Sequence, residues 1–299
     1  MLKNNDGQVR AGWLIAIALV AMFIGQTIFA LPGTILLGIM DAMNNPDTLS
    51  LDIMVLSDEY PWVFLLMQGG GTVGGLIVTL ILWRYMNKKS MGELGFRGSL
   101  TDLVYGLLLG AGSIAVIFIL LLVSGNVEVV NAFSEPMFST YTITFLIIFI
   151  LVGFFEEIFF RGYVMTTMAN RGNKKWLIYL VSAIIFSLVH GANPNVSIPG
   201  LINILLVGLL FAYMFDATKS LWMPIGYHIT WNYFQGNVFG FAVSGTTPHG
   251  IYQVDISKGN DLLTGGTFGL EGGILATLMI LVGFVLTNVY AKRKVQQPL

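Results

Sequence analysis

Apolar residues in this chain come in long, nearly unbroken runs rather than in the alternating or one-faced stripes of half-buried elements. Eight runs stand out, at residues 12–40, 61–86, 101–124, 139–168, 176–190, 197–215, 220–238 and 268–291. Each approaches the ~20 residues that carry an α-helix across a bilayer core. The fifth is short and the seventh is interrupted by polar residues. The stretches between them hold no soluble domain of useful size, no low-complexity tract and no convincing repeat. The pattern predicts an all-α, polytopic membrane protein with about eight transmembrane helices.

Charge placement gives that chain a direction. With the N-terminus in the cytoplasm, every Lys and Arg falls on the inner side except Lys258, in an outer loop, and Arg161, inside a span. The outer loops instead carry Asp41, Asp47, Asp52, Asp58, Glu59, Glu128, Glu135, Asp255 and Asp261. Cytoplasmic loops collect Lys and Arg, so the asymmetry predicts an even number of crossings and both termini cytoplasmic. The first run exceeds the ~7–15-residue apolar core of a cleavable signal peptide and has no clear A-x-A site, so it reads as a retained first span.

Composition agrees. Hydrophobic residues make up 55% and charged residues 10%, against about 25% charged in an ordinary soluble domain. A net charge of −1 gives no basic character for a nucleic-acid partner, whereas the lipid bilayer is an implied one. Cysteine is absent, which excludes disulfides, thiolate metal ligands and cysteine nucleophiles. In the second run, GGGTVGG at residues 69–75 puts Gly70 and Gly74, and Gly71 and Gly75, four apart. Small residues at that spacing let helices approach closely, and a broken helix lining a site is the alternative. Packing is the favoured reading.

The fourth run contains FFEEIFFRGYV, with Glu156, Glu157 and Arg161 in an oily setting. A charge near the bilayer centre costs roughly 2.5–3.5 kcal/mol even on a lenient scale, so such groups face the bundle interior and by default mark function. Glu157 and Arg161 are four apart and can pair on one helix face. Glu156 points about 100° away, and no Lys or Arg lies three or four positions from it. A carboxylate in such a setting suits a general base. A purely structural ion network is the competing explanation.

Two further stretches weigh against it. FSLVHG sets Phe186 and His190 four apart, and GYHITWN sets His228 and Asn232 four apart. Each spacing shares a helix face. The third histidine, His249, falls in an outer loop and is given no role. At about 1.5 Å per residue, Glu156 lies about 18 Å from the inner end of its span, His190 about 21 Å, and His228 and Asn232 about 10–18 Å. A shared depth predicts that they converge on one wet cavity. A carboxylate and a histidine can activate water, and a second histidine with an amide can stabilise the oxyanion of an attacked carbonyl. Peptide hydrolysis fits that set, and no H-E-x-x-H zinc signature is present.

EEIFFR, FSLVH and HITWN resemble, in order, the EExxxR, FxxxH and HxxxN/D motifs of the CPBP family of intramembrane endopeptidases, which includes the type II CAAX prenyl proteases and Abi-like bacteriocin-processing proteins. The resemblance covers about residues 139–240. It implies a catalytic core of four helices at 139–240, whereas the N-terminal transmembrane helices at 1–138 and the outer loop with a last helix at 241–299 are read from the apolar runs alone. It implies that Glu156 and His190 activate the water, that His228 and Asn232 hold the oxyanion, and that Glu157 and Arg161 organise the pocket. The implied substrate is a membrane peptide or protein at a bacterial cell membrane. No cofactor is favoured; if a metal is required, Glu156, His190 and His228 form a His₂Glu zinc set. A non-catalytic membrane scaffold or bacteriocin-immunity factor of the same family is the alternative, and a transporter ranks last.

Overall fold

The computed structural model describes residues 3, 7–45, 53–246 and 248–296. Asp47 and Asp52 of the expected acidic outer loops lie outside the described residues. The helices are α1 (Ala11–Asn44), α2 (Ile53–Glu59), α3 (Pro61–Tyr85), α4 (Leu100–Val123), α5 (Thr140–Glu157), α6 (Thr166–Ala169), α7 (Lys175–His190), α8 (Ile198–Thr218), α9 (Trp222–Tyr233), α10 (Asp261–Thr264) and α11 (Ile274–Gln296). A π-helix, Ile158–Met165, joins α5 to α6, and a second, Phe234–Val238, continues α9. The chain is an all-α, multi-pass membrane protein: among the described residues, six helical stretches are long and apolar enough to cross a bilayer. The fifth expected run forms α7, of 16 residues, and the seventh forms α9 with its π continuation.

The last run differs from expectation. The apolar run starts at residue 268, but residues 266–272 fold as two 3₁₀ turns and the helix begins at Ile274. The cause is local: Gly265, Gly266 and Gly269 all take positive φ, which an α-helix cannot include. Glu271, counted inside the span by its apolar neighbours, therefore precedes it.

Contacts divide the chain into two compact units, Met1–Leu94 with Ser139–Lys174, and Gly95–Phe138 with Lys175–Leu299. The expected core at 139–240 is thus shared between them. In the first unit α3 runs unbroken from Pro61 to Tyr85 against α1. A Cβ placed at Gly74 would lie 2.5 Å from Gly25 O of α1, so the glycine cluster is a packing surface. The π-segment is anchored there as well. Tyr163 packs edge-on to Trp83 of α3 at 6.0 Å and donates to Leu14 O of α1 at 3.4 Å.

In the second unit α9 lies along α4, where Thr230 Oγ1 donates to Leu107 O at 2.8 Å, and α7 lies along α8. Lys294 near the end of α11 pairs with the buried Asp102 of α4 at 2.8 Å. A two-stranded antiparallel ribbon, β1 (Glu128–Val129) with β2 (Val254–Asp255), joins the long connections outside the helices.

The α1–α3 contact generates a stability test. Gly74→Ala forces a methyl against backbone, and overpacking of this kind costs about 1–3 kcal/mol. A Cβ at Gly112 meets nothing within 4 Å, so Gly112→Ala is expected to be neutral or to stabilise by up to about 1 kcal/mol through helix propensity. Thermal unfolding in detergent compares the two, and equal stability of both variants contradicts the close α1–α3 packing.

Candidate active site

The glutamate doublet sits where α5 changes into the π-helix. π-Helical turns widen the backbone ring and recur at functional sites. All eight residues of the π-segment are buried, among them Phe159, Phe160 and Tyr163. Phe159 stacks on Tyr163 at 6.0 Å with ring planes 9° apart, so the segment's aromatic face is buried and packed. Within it Arg161 Nη1 donates to Glu157 Oε1 at 2.9 Å, and both side chains are 0% exposed. The guanidinium also lies 5.8 Å from the Phe160 ring centre. The i,i+4 pairing read from the sequence is therefore present. Glu156 is only partly buried, unlike its neighbour.

The histidines are set by a different device. His190 is the last residue of α7, and its Nδ1 lies 2.8 Å from Phe186 O one turn earlier. A carbonyl oxygen can only accept, so Nδ1 carries the hydrogen and Nε2 is the ring's acceptor. The Phe186 ring lies 4.7 Å from the His190 ring and, edge-on, 6.2 Å from the His228 ring. His228, 6% exposed, stacks on Phe211 of α8 at 5.4 Å. One phenyl ring thus contacts both imidazoles, and a second stacks on one of them. Asn232, partly buried, follows His228 by one turn of α9.

Glu156, Glu157 and Arg161 belong to the first unit, and His190, His228 and Asn232 to the second. Within the units the structure joins Glu157 to Arg161, and His190 to His228 through Phe186. His249 is exposed, and its carbonyl accepts from Asn237 at 3.2 Å. Among the described residues no group of three or more His, Cys, Asp or Glu side chains is placed to hold a metal ion.

Sequence reasoning missed Phe211, whose role nothing in an apolar run of α8 betrays. It also missed Gln235, a fully buried polar side chain three positions beyond Asn232. That one had a signal: an amide at helical spacing from a motif residue.

Residues 138–234 match the family described as Rce1-like, type II CAAX prenyl endopeptidase Rce1-like. The matched stretch contains all three motifs, from Glu156 to Asn232. No curated protein and no solved structure matches the chain. The match gives this multi-pass membrane chain an Rce1-like domain over residues 138–234, which supports its resemblance to the CPBP family.

Proposed function

We propose that the chain is an intramembrane endopeptidase that hydrolyses a peptide bond of a membrane-associated peptide or protein. The observation that carries the reading is that all six ionisable or amide residues singled out by their spacing fall inside the matched stretch. In this reading Glu156 takes the proton from a water molecule as it attacks the scissile carbonyl, with His190 Nε2 as the second acceptor. His228 and Asn232 donate hydrogen bonds to the oxyanion that develops. The proton then passes to the leaving amine. Arg161 holds Glu157 in place through its hydrogen bond, so the neighbouring residue, Glu156, is presented from a fixed backbone. The supporting geometry is the tautomer that Phe186 O imposes on His190, which leaves Nε2 as the acceptor.

Substrate capture tests the proposal. A Glu156→Gln variant carrying a photo-crosslinker is expressed in its native membrane and the captured peptides are sequenced. Purified wild-type protein is expected to cleave the captured protein. His190→Ala is expected to lower that cleavage by about 10²–10⁴-fold, the usual worth of a general acid–base group. Asn232→Ala is expected to lower it by about 10²–10³-fold, as for loss of an oxyanion donor. A captured protein that wild type binds and never cleaves establishes the scaffold reading instead, and full cleavage by His190→Ala removes the role given to that ring.

Chelation is a separate check. With a carboxylate and an imidazole as the water's bases, cleavage is expected to persist in excess chelator. Loss of cleavage that zinc restores moves the water onto a metal.

A further inference from the structure

A buried carboxylate that the peptidase reading does not use lies just before α11. Glu271 is 7% exposed, and its side chain accepts from two separate parts of the second unit. Ser244 N and Oγ donate to Oε1, each at 3.2 Å, and Gln235 Nε2 donates to Oε2. Its backbone is held as well: Asn203 Nδ2 of α8 donates to Glu271 O at 2.7 Å.

Each partner leads to a motif residue. Gln235 is in the π-turn that continues α9, three residues beyond Asn232, and its own carbonyl accepts from Phe241 N at 2.9 Å. Ser244 and Gly245 form a tight turn, closed by Val243–Thr246 pairing, with φ of 46° and 87°. That turn reaches the loop after His190: Asn193 Nδ2 donates to Ser244 O at 3.1 Å and Asn195 Nδ2 to Gly245 O at 3.3 Å. Asn193 N in turn donates to His190 O at 3.1 Å. The approach is close enough that a Cβ at Gly245 would lie 1.7 Å from Pro194 O. A continuous hydrogen-bonded path therefore runs from the backbone of His190 through Ser244 and Glu271 to Gln235, and ends one turn past Asn232.

We infer that Glu271 is a positioning residue, a clasp that holds the end of α7 and the π-end of α9 in one frame and so fixes His190 against His228 and Asn232. This rests on the reading of those three as the reacting side chains. A carboxylate is suited to the task because it can accept from several donors at once. Its removal strands the Ser244 and Gln235 donors in a buried setting, where unsatisfied groups are costly. The clasp acts by placement, which is exacting: a misplacement of about 1 Å can cost about 100-fold in rate. Burial pushes the Glu271 carboxyl up to about 7. Gln235 and Ser244, which face it, carry no charge, and α10, packed against the same turn, carries Asp261.

The test reads histidine geometry, which does not depend on finding a substrate. The full chain, labelled with ¹⁵N-histidine in lipid nanodiscs, gives three ring systems, with the exposed His249 as the third. Glu271→Ala is expected to shift or broaden the His190 and His228 ring signals. Asp102→Asn, which weakens the Lys294 pair at the far end of α11, is the control for lost stability and is expected to leave both in place. Glu271→Gln, which can accept from Ser244 and donate to Gln235 Oε1 once that amide turns, is expected to lie closer to wild type than Glu271→Ala. Wild-type ring signals in Glu271→Ala overturn the inference, whatever the variant's stability. If wild type never cleaves the captured protein, the peptidase reading fails while the ring signals still decide the clasp.

A pH series supplies the second readout. The folded state favours the neutral Glu271 carboxyl, so its contribution to stability is fully present below the ordinary carboxylate range and is lost as pH rises through about 7. Glu271→Gln stays neutral, so its Tm is expected to rise relative to wild type between about pH 6 and about pH 8. A Tm difference that does not change with pH contradicts the buried, clasped carboxylate.

Discussion

Two charges held out of water, Glu157 and Arg161, fix the local structure around the glutamate doublet, and the rest of the first unit's buried π-segment depends on them. Neither side chain has any exposure, and their 2.9 Å contact sits at the joint where α5 turns into a π-helix. A buried pair of this kind adds little to net stability compared with apolar residues, but removal of one partner leaves an uncompensated charge and costs about 3–5 kcal/mol. The pair therefore acts as a constraint on conformation more than as a source of energy. It ties the last residue of α5 to the middle of the π-segment, where Phe159 and Tyr163 are also stacked. Glu156, the residue before, inherits its position from that arrangement and stays partly exposed.

The second unit solves the corresponding problem without charge. His190 and His228 are held by aromatic rings and by one backbone acceptor. Ring contacts fix where an imidazole lies, and the Phe186 carbonyl fixes which nitrogen carries hydrogen. Neither device costs desolvation of an ion. The Ser244–Gly245 turn and Glu271 then hold the ends of the two helices that carry these rings. Carboxylates thus appear in both units with opposite neighbours: Glu157 faces a guanidinium, whereas Glu271 faces only dipoles and is pushed toward its neutral form.

Much of this was legible because it follows from helical spacing. The Glu157–Arg161 pair, the Phe186–His190 contact and the close α1–α3 packing are all consequences of residues three or four apart on one face. The membrane class followed from apolar runs whose lengths the bilayer sets. What stayed hidden has physical reasons too. A π-turn differs from an α-turn by one residue per hydrogen-bonded ring, and an apolar aromatic stretch such as IFFRGYVM carries no sign of that choice. The start of α11 was misplaced because hydropathy counted Phe268 and Leu270 while the glycines beside them set the backbone. Glu271 went unremarked for the same reason, and its partners lie 27 and 36 positions away in sequence, beyond any local pattern.

The account separates two adjacent carboxylates that composition treats as equivalent, and one paired comparison tests that separation most directly. Glu156→Gln and Glu157→Gln are each purified, their unfolding free energies measured in lipid, and their cleavage of the captured protein compared with wild type. The account predicts that Glu156→Gln folds with near wild-type stability and loses cleavage, while Glu157→Gln loses about 3–5 kcal/mol because the buried Arg161 loses its hydrogen-bonded partner. The reverse pattern, with Glu157→Gln stable and Glu156→Gln both unstable and active, would contradict it.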